Sequence, residues 1–389
     1  MRMSLAHRRW VWALRALLAL ALLGAGGAVA RWGGAYLQRL VILFLINLML
    51  VVSLNLFTGL TGVFSLGHVG FMALGAYTSA ILTLPPALKA VNLPDLPAPL
   101  SNVTLPFLPA LVAGGLVATA VAFLIGIPVL RLSGHFVAVA TLGFLIIVRV
   151  VLINAEAFTR GTRTFTGVPP ATTLGWAALW ALLNLYVAMR VKGSALGLQI
   201  RAARDDPWGA QGVGVALGRV RLVAFLISAF FTGVAGGLWA HFLTAFSPNA
   251  FYFSKTFEIV VMMIVGGMGS ISGSVLGTLL VMGSTELLRN LEPGISIGSI
   301  TLGPLYGLSQ IGLAILLMLL IAFRRQGLLG GVLAATEQND VGGARNRFAA
   351  PDIDPPGRYA PAPQTLDEDG RVARVPVGSE QLRTHDHDA

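Results

Sequence analysis

RVKGSALGLQIRAARDDPWGAQGVGVALGRVR, residues 190–221, is the one long polar, charge-dense stretch between extended apolar runs. It holds Arg190, Lys192, Arg201, Arg204, Arg219 and Arg221 together with Asp205 and Asp206. An excess of Lys and Arg in a loop between membrane spans places that loop in the cytoplasm. Within it, Leu196–Ala203 has helical spacing. Asp205-Asp206-Pro207 then suits the start of a second short helix, with the proline in its first turn. Two short helices at a membrane face would present a docking surface. A basic loop that only fixes topology satisfies the same composition.

The rest of the chain decides its class. Of 389 residues 55% are hydrophobic and 11% charged, against roughly 25% charged in soluble globular domains, so this is a membrane protein. The net charge is +10. Most of the acids follow Arg325, which leaves only Asp95, Glu156, Asp205, Asp206, Glu258, Glu286 and Glu292 before it. The basic excess therefore belongs to the apolar part, where it reads as topology and contact with lipid headgroups rather than nucleic-acid binding. With no cysteine, disulfide and thiol chemistry are excluded.

Outward from the central loop, the apolar runs predict an all-α polytopic fold of about ten spans. Residues 1–30 fit a cleaved signal peptide, and 10–30 within them a retained first helix; both put residue 31 outside. Spans follow at about 37–57, 63–84, 106–129, 135–153 and 173–189. The proline-rich, nearly uncharged stretch 85–105 separates two of them as an external loop. After the central loop come 221–244 and then 257–289, which is too long for one span and suits two short ones hinged at Gly266-Gly267-Met268-Gly269-Ser270. A last span, 305–323, ends at Arg324-Arg325. This count puts the N-terminus, the central loop and Arg324-Arg325 all in the cytoplasm, in agreement with the positive-inside rule. Residues 1–325 form the membrane domain, and 326–389, polar and without apolar period, read as a disordered cytoplasmic tail.

A faint echo links two breaks. Gly62-Val63-Phe64-Ser65 and Gly269-Ser270-Ile271-Ser272 each join two short spans. Broken or re-entrant helices at membrane depth line transport pathways when paired in two halves of a chain; close packing of small residues explains the same glycines.

Enzymatic signatures are sparse. No phosphate loop, H-E-x-x-H or Cys/His cluster occurs. Gly294-Ile295-Ser296-Ile297-Gly298 fits G-x-S-x-G, but that motif needs a strand–turn–helix elbow with His and acidic partners, and the stretch lies in a short external loop. Polar groups inside the spans carry more weight, because lipid forces them toward a partner or a cavity. Asn55, Ser65, His68, Thr141, Arg149, Glu258 and Ser272 are the pathway candidates. Packing contacts are the alternative for Asn55 and His68. For Arg149 and Glu258 it is anchoring near the external interface, with Glu258 close to Lys255 and Arg149 snorkelling outward.

Specific strings then carry a resemblance. NLFTGLTGVFSLGHVGFMALGAYTSAIL (55–82), RLSGHFVAVATLGFLIIVRVVLIN (131–154), LGLQIRAARDDPWGAQGVGV (196–215), SPNAFYFSKTFEIVVMMIVGGMGSISGSVLGTLL (247–280) and RRQGLLG (324–330) resemble, in order, the blocks of LivM-type permeases of ABC importers for branched-chain amino acids. The resemblance implies an inner-membrane subunit without cofactors of its own. It would pair with a second permease, dock on two ATPase subunits that bind ATP and Mg, and receive substrate from an external binding protein. It further implies that Arg201, Arg204, Asp205, Asp206, Gln211 and Gly214 couple the loop to the ATPase. The chain departs from the pattern at Gln211, where a glutamate is usual, at Leu145 and Ile146 in place of Gly-Glu, and at Thr159–Thr164. Relatives carry urea and short amides, which leaves the substrate open between these and hydrophobic amino acids. An ion-gradient carrier and a membrane scaffold are the rivals from other classes.

Overall fold

In the computed structural model of the protein, the described residues are 34–132 and 134–292, with short pieces between 296 and 318. Helix α1 (Ala35–Leu54) runs on through a π-turn at Asn55–Gly59. It is followed by α2 (His68–Thr83), α3 (Pro86–Asn92), α4 (Ala98–Ser101), α5 (Phe107–Val129), α6 (His135–Asn154) and α7 (Glu156–Thr159). Next come α8 (Leu174–Lys192), α9 (Ala195–Asp205), α10 (Pro207–Gly212), α11 (Leu217–Leu243), α12 (Phe253–Gly266) and α13 (Ile271–Leu291). A short hairpin pairs Ser296–Ile297 with Ile300–Thr301, which places Ser296, the serine of the G-x-S-x-G match, in a strand.

Among the described residues six helices are long and apolar enough to cross a membrane: Ala35–Gly59, Phe107–Val129, Phe136–Asn154, Leu174–Lys192, Leu217–Leu243 and Ile271–Leu291. The protein is a polytopic all-α membrane protein. Two expected spans are shorter than a bilayer requires, α2 with 16 residues and α12 with 14. Both are packed inside the bundle instead of crossing at its edge. The expected span at 10–30 and the tail at 326–389 lie outside the described residues, as does most of 305–323.

Burial separates a central layer from a peripheral one. The α1 span is 78% buried and Leu217–Leu243 of α11 67%, against 33% for Phe136–Asn154 of α6. Small residues bring the central helices together. Gly75 of α2 lies against the backbone of Gly233 of α11, and a Cβ on Gly114 of α5 would come within 2.8 Å of the Gly75 carbonyl oxygen. Without a hydrophobic drive between helices in lipid, such backbone approach supplies the van der Waals contact that holds them. Hydrogen bonds add to it where α2 and α11 meet again. Ser79 Oγ is 3.0 Å from His241 Nε2, and the opposite ring nitrogen is 3.0 Å from the Pro169 carbonyl oxygen. A carbonyl only accepts, so Nδ1 carries the proton and Ser79 donates to Nε2.

The connections are more ordered than the sequence predicts. The stretch 85–105 contains two short helices closed by Lys89. Its ammonium donates to the carbonyl oxygens of Leu100 at 2.8 Å and Val103 at 2.6 Å. Segment 160–173 pairs with 244–252 through reciprocal backbone bonds between Phe165 and Phe246, at 2.7 and 3.0 Å. Around that pair Tyr77, Trp239 and Phe251 form an aromatic cluster. Residues 244–252 are thus drawn into the bundle, and this sets where α12 begins.

Candidate functional site: a glycine junction and a polar station at mid-depth

The polar loop folds as its local chemistry dictates. Ser194 caps α9 by accepting from the Gly197 amide at 3.3 Å, and Asp206 caps α10 by accepting from the amides of Trp208 and Gly209 at 3.1 and 3.0 Å. Each side-chain oxygen satisfies an amide that the helix start leaves unpaired. Pro207 occupies the first position, where no amide is needed. Gly214 ends the segment with φ +85°, a left-handed turn that costs glycine nothing. Asp205, Asp206, Gln211 and Gly214 are all exposed, and Arg201 is half-buried. Two residues missed in the sequence stand out beside them: Trp208 is 84% exposed and Val213 80%. The available signal was an indole and a valine inside an otherwise polar segment.

The loop is tied to the place where the two chain breaks meet. Asn55, in the π-turn of α1, donates to the Ser270 carbonyl oxygen at 2.9 Å and to Ser274 Oγ at 2.8 Å. Its own carbonyl accepts from the Gly269 amide at 2.7 Å. One side chain so satisfies both sides of the gap between α12 and α13. Gly59 abuts Gly269, and a Cβ there would collide with Asn55 Oδ1 and lie 2.5 Å from the Gly269 nitrogen. The hinge itself needs glycine, with Gly267 at φ +105° and Gly269 at φ +81°. Two cations from the loop region close the cluster: Arg204 Nη1 donates to the Gly59 carbonyl oxygen at 3.1 Å and Lys192 Nζ to that of Gly269 at 2.6 Å. Helix breaks in a membrane leave carbonyls unpaired, and here a basic side chain reaches each of these two. Ser272 lies at the edge, 3.3 Å from Ser270 Oγ.

Ser65 and His68 come together at the other break. Ser65 Oγ is 2.9 Å from His68 Nδ1, and His68 Nε2 is 3.0 Å from Ser228 Oγ. Ser228 already donates its single proton to the Phe225 carbonyl oxygen at 2.9 Å, so His68 donates from Nε2 and accepts at Nδ1. Phe57, Phe71 and Phe225 surround the ring. Thr141 is buried and accepts from the Leu66 amide at 3.0 Å, holding the same loop against α6. These groups lock α2, α6 and α11 in register. A small crevice beyond Ser65 and His68 is closed by Thr256, Ile259 and Val260 of α12.

The structure brings Arg149 and Glu258 together at the start of α12. Lys255 Nζ donates to Asn47 Oδ1 at 2.8 Å, and Asn47 lies midway along the 25-residue span Ala35–Gly59. Helix α12 therefore starts beside the middle of α1, because the 244–252 segment before it is folded into the bundle. Glu258 pairs with Lys255 at 3.1 Å. Arg149 donates to Asn249 Oδ1 at 2.9 Å and lies over the Tyr252 ring, 4.2 Å from its centre. Tyr252 immediately precedes α12, so all three charges gather around its first turns. Among the described residues no cluster of His, Cys, Asp and Glu could hold a metal ion.

A helical membrane bundle with paired breaks and a basic two-helix loop tied to them has the architecture of a transport permease. The chain belongs to the family of permease components of branched-chain amino acid transport systems, whose model matches residues 36–324. It is 31% identical over 321 residues, 74% of this chain and 68% of the relative, to the high-affinity branched-chain amino acid transport system permease protein LivM of Escherichia coli (strain K12). It is also 31% identical over 319 residues, 73% of this chain and 68% of the relative, to the LivM protein of Salmonella typhimurium. No solved structure matches the chain. As a family member it is a multi-pass permease subunit of an ABC importer, a transport component rather than an enzyme.

Proposed function

We propose that this chain forms part of the passage for branched-chain or other hydrophobic amino acids in a bacterial inner membrane. It pairs there with a second permease and docks on two ATPase subunits that bind ATP and Mg. An external binding protein delivers the substrate. Both termini and the 190–221 loop face the cytoplasm, where α9 and α10 enter a groove of the ATPase. In this reading Trp208 and Val213 supply the apolar contact, while Arg201, Asp205, Asp206 and Gln211 orient the partner.

The observation that carries the reading is the pair of bonds from Lys192 and Arg204 to the carbonyls of Gly269 and Gly59. A displacement of α9 by the ATPase cannot leave the two breaks where they are, since Arg204 belongs to the last turn of α9 and holds Gly59 directly. Nucleotide-driven closure thereby becomes rearrangement of α1, α12 and α13 around the passage. Asn55 and Ser272 act at this junction, Ser65, His68 and Thr141 in the packed half beside it.

The test is co-purification with and without the ATPase subunits, followed by uptake in proteoliposomes. ATP-driven uptake of leucine is expected. Uptake that follows a proton or sodium gradient without ATPase would replace this reading with a carrier, and assembly without transport would replace it with a scaffold. Gly214→Trp should abolish assembly or coupling while the protein stays in the membrane; normal ATP-driven uptake by this variant would remove the loop from the mechanism.

A further inference from the structure

Charge around the start of α12 does not balance. Lys255 and Glu258 neutralise one another, whereas Arg149 meets no carboxylate among the described residues, and its Nε is buried without a partner. Among the described residues the site therefore carries one positive charge in excess, inside the apolar span Phe136–Asn154. An ionised side chain at that depth is expensive and faces an aqueous cavity or an ionic partner. A guanidinium is best satisfied by a planar carboxylate, which it meets with two parallel hydrogen bonds.

The neighbours add a second and a third kind of contact. Glu258 engages Lys255 through one oxygen, and its side chain is 35% exposed, which leaves the other oxygen open to a further donor. Phe253 and Phe257 stack with centroids 6.3 Å apart, and Phe257 is 57% exposed. Lys255 and Glu258 stand three residues apart in α12, about 4.5 Å along the helix, and Tyr252 is its N-cap. An anion and an aromatic surface thus lie on the first turns of α12, and Arg149 of α6 reaches the start of that helix over the Tyr252 ring.

We propose that this stretch is a station that reads the amino-acid zwitterion in transit. Arg149 takes the α-carboxylate, Glu258 takes the α-ammonium in exchange for part of its bond to Lys255, and Phe257 with Phe253 receives the aliphatic side chain. Urea and short amides carry no carboxylate and would leave the guanidinium unneutralised, so the station selects amino acids over them. The inference rests on the permease reading and adds to it a site and a ligand chemistry.

The experiment uses the complete importer in proteoliposomes. Absence of any ATP-driven uptake by the unmodified importer would remove the permease reading and this site with it; leucine uptake without urea uptake is expected. Arg149→Gln should then lower leucine uptake by about tenfold or more, the consequence of losing a charge-assisted hydrogen bond. ATP hydrolysis and assembly should persist, and Arg149→Lys should restore part of the loss. Because the chain has no cysteine, Phe257→Cys gives this chain a single thiol, followed on its own band after the subunits are separated. A charged, water-soluble thiol reagent should modify it in the assembled importer, and leucine, but not urea, should slow the reaction. Wild-type leucine uptake by Arg149→Gln would overturn the proposal while leaving the permease reading intact. So would a thiol that is unreactive, as it would be beneath lipid or the second permease, or one that leucine does not protect. If Arg149→Gln fails to assemble, thiol protection decides; if Phe257→Cys also fails, the same labelling at the exposed Ser254→Cys decides.

Discussion

Two parts of the molecule place a cationic side chain on backbone carbonyls, and they do so to different ends. Lys89 closes a loop on itself: its acceptors, Leu100 and Val103, lie 11 and 14 residues along the chain. Lys192 and Arg204 reach acceptors 77 and 145 residues away, each on a different element. The first is a staple that orders a short connection. The second is a tie between a polar loop and two broken membrane helices. The hydrogen bonds are of one kind, yet only the second set can convey a displacement across the bundle, because sequence separation decides what each bond couples.

The sharpest way to break this contrast is to deny the junction its space. Gly59→Val places a branched side chain where even a Cβ has no room, against Asn55 and the backbone of Gly269. Overpacking in so tight a contact should cost more than about 3 kcal/mol. The expected outcome is loss of monodisperse protein after detergent extraction, with a thermal midpoint well below wild type. An unchanged midpoint would mean that the two breaks do not touch. Asn55→Leu comes next. It keeps the volume but strips the Gly269 amide and the Ser270 carbonyl of a partner, a loss of about 2–3 kcal/mol. Protein should still fold, and hydrogen exchange should rise at residues 267–274.

The parts of this junction that were legible in the sequence are those fixed by neighbouring residues. Asp206-Pro207 announces a capped second helix, and the run Gly266-Gly267-Met268-Gly269-Ser270 announces a hinge. Each depends on chemistry within a turn or two. The meeting of Gly59 with Gly269 was not legible, because nothing in a single sequence pairs two glycines so far apart. Depth was hidden as well. Hydropathy reports how many apolar residues follow one another, and the polar string Ser247–Lys255 looks like an external connection wherever it sits. Only the pairing of Phe246 with Phe165 draws it inward, and with it Lys255 and Glu258. Trp208 and Val213 were not legible as contacts, because a single sequence does not tell an exposed apolar side chain from a buried one, although an exposed indole is a common anchor for a partner.

A finer test separates the tie from the fold it serves. Arg204→Gln removes the bond to the Gly59 carbonyl but fills no cavity and empties none. Stability should fall by no more than about 1 kcal/mol, while ATP-driven uptake drops about tenfold and ATP hydrolysis by the assembled importer continues. Hydrolysis without uptake is the signature of a severed linkage. If uptake and hydrolysis fell together, Arg204 would belong to the docking surface instead, and the distinction between tie and staple would lose its functional content.

The smallest effect is expected at the staple, and pH resolves it. Burial pushes the Lys89 ammonium below its ordinary value of 10.5, since its partners are carbonyls and no carboxylate offsets the desolvation. In the window between the lowered value and 10.5, the unfolded chain binds more protons at this position than the folded one. The stability of segment 85–105 should therefore rise with pH across that window and stay flat below it, where the burial cost is fully present. Lys89→Met removes the charge together with its hydrogen bonds. The two losses oppose each other, so the net change near neutral pH should stay within about 1 kcal/mol, with uptake unaffected. Hydrogen exchange over residues 86–105, followed from neutral to alkaline pH in both proteins, checks this: wild type should gain protection as the pH climbs and Lys89→Met should not. A drop in uptake for Lys89→Met would show that the outer staple, like the inner tie, reaches beyond its own loop.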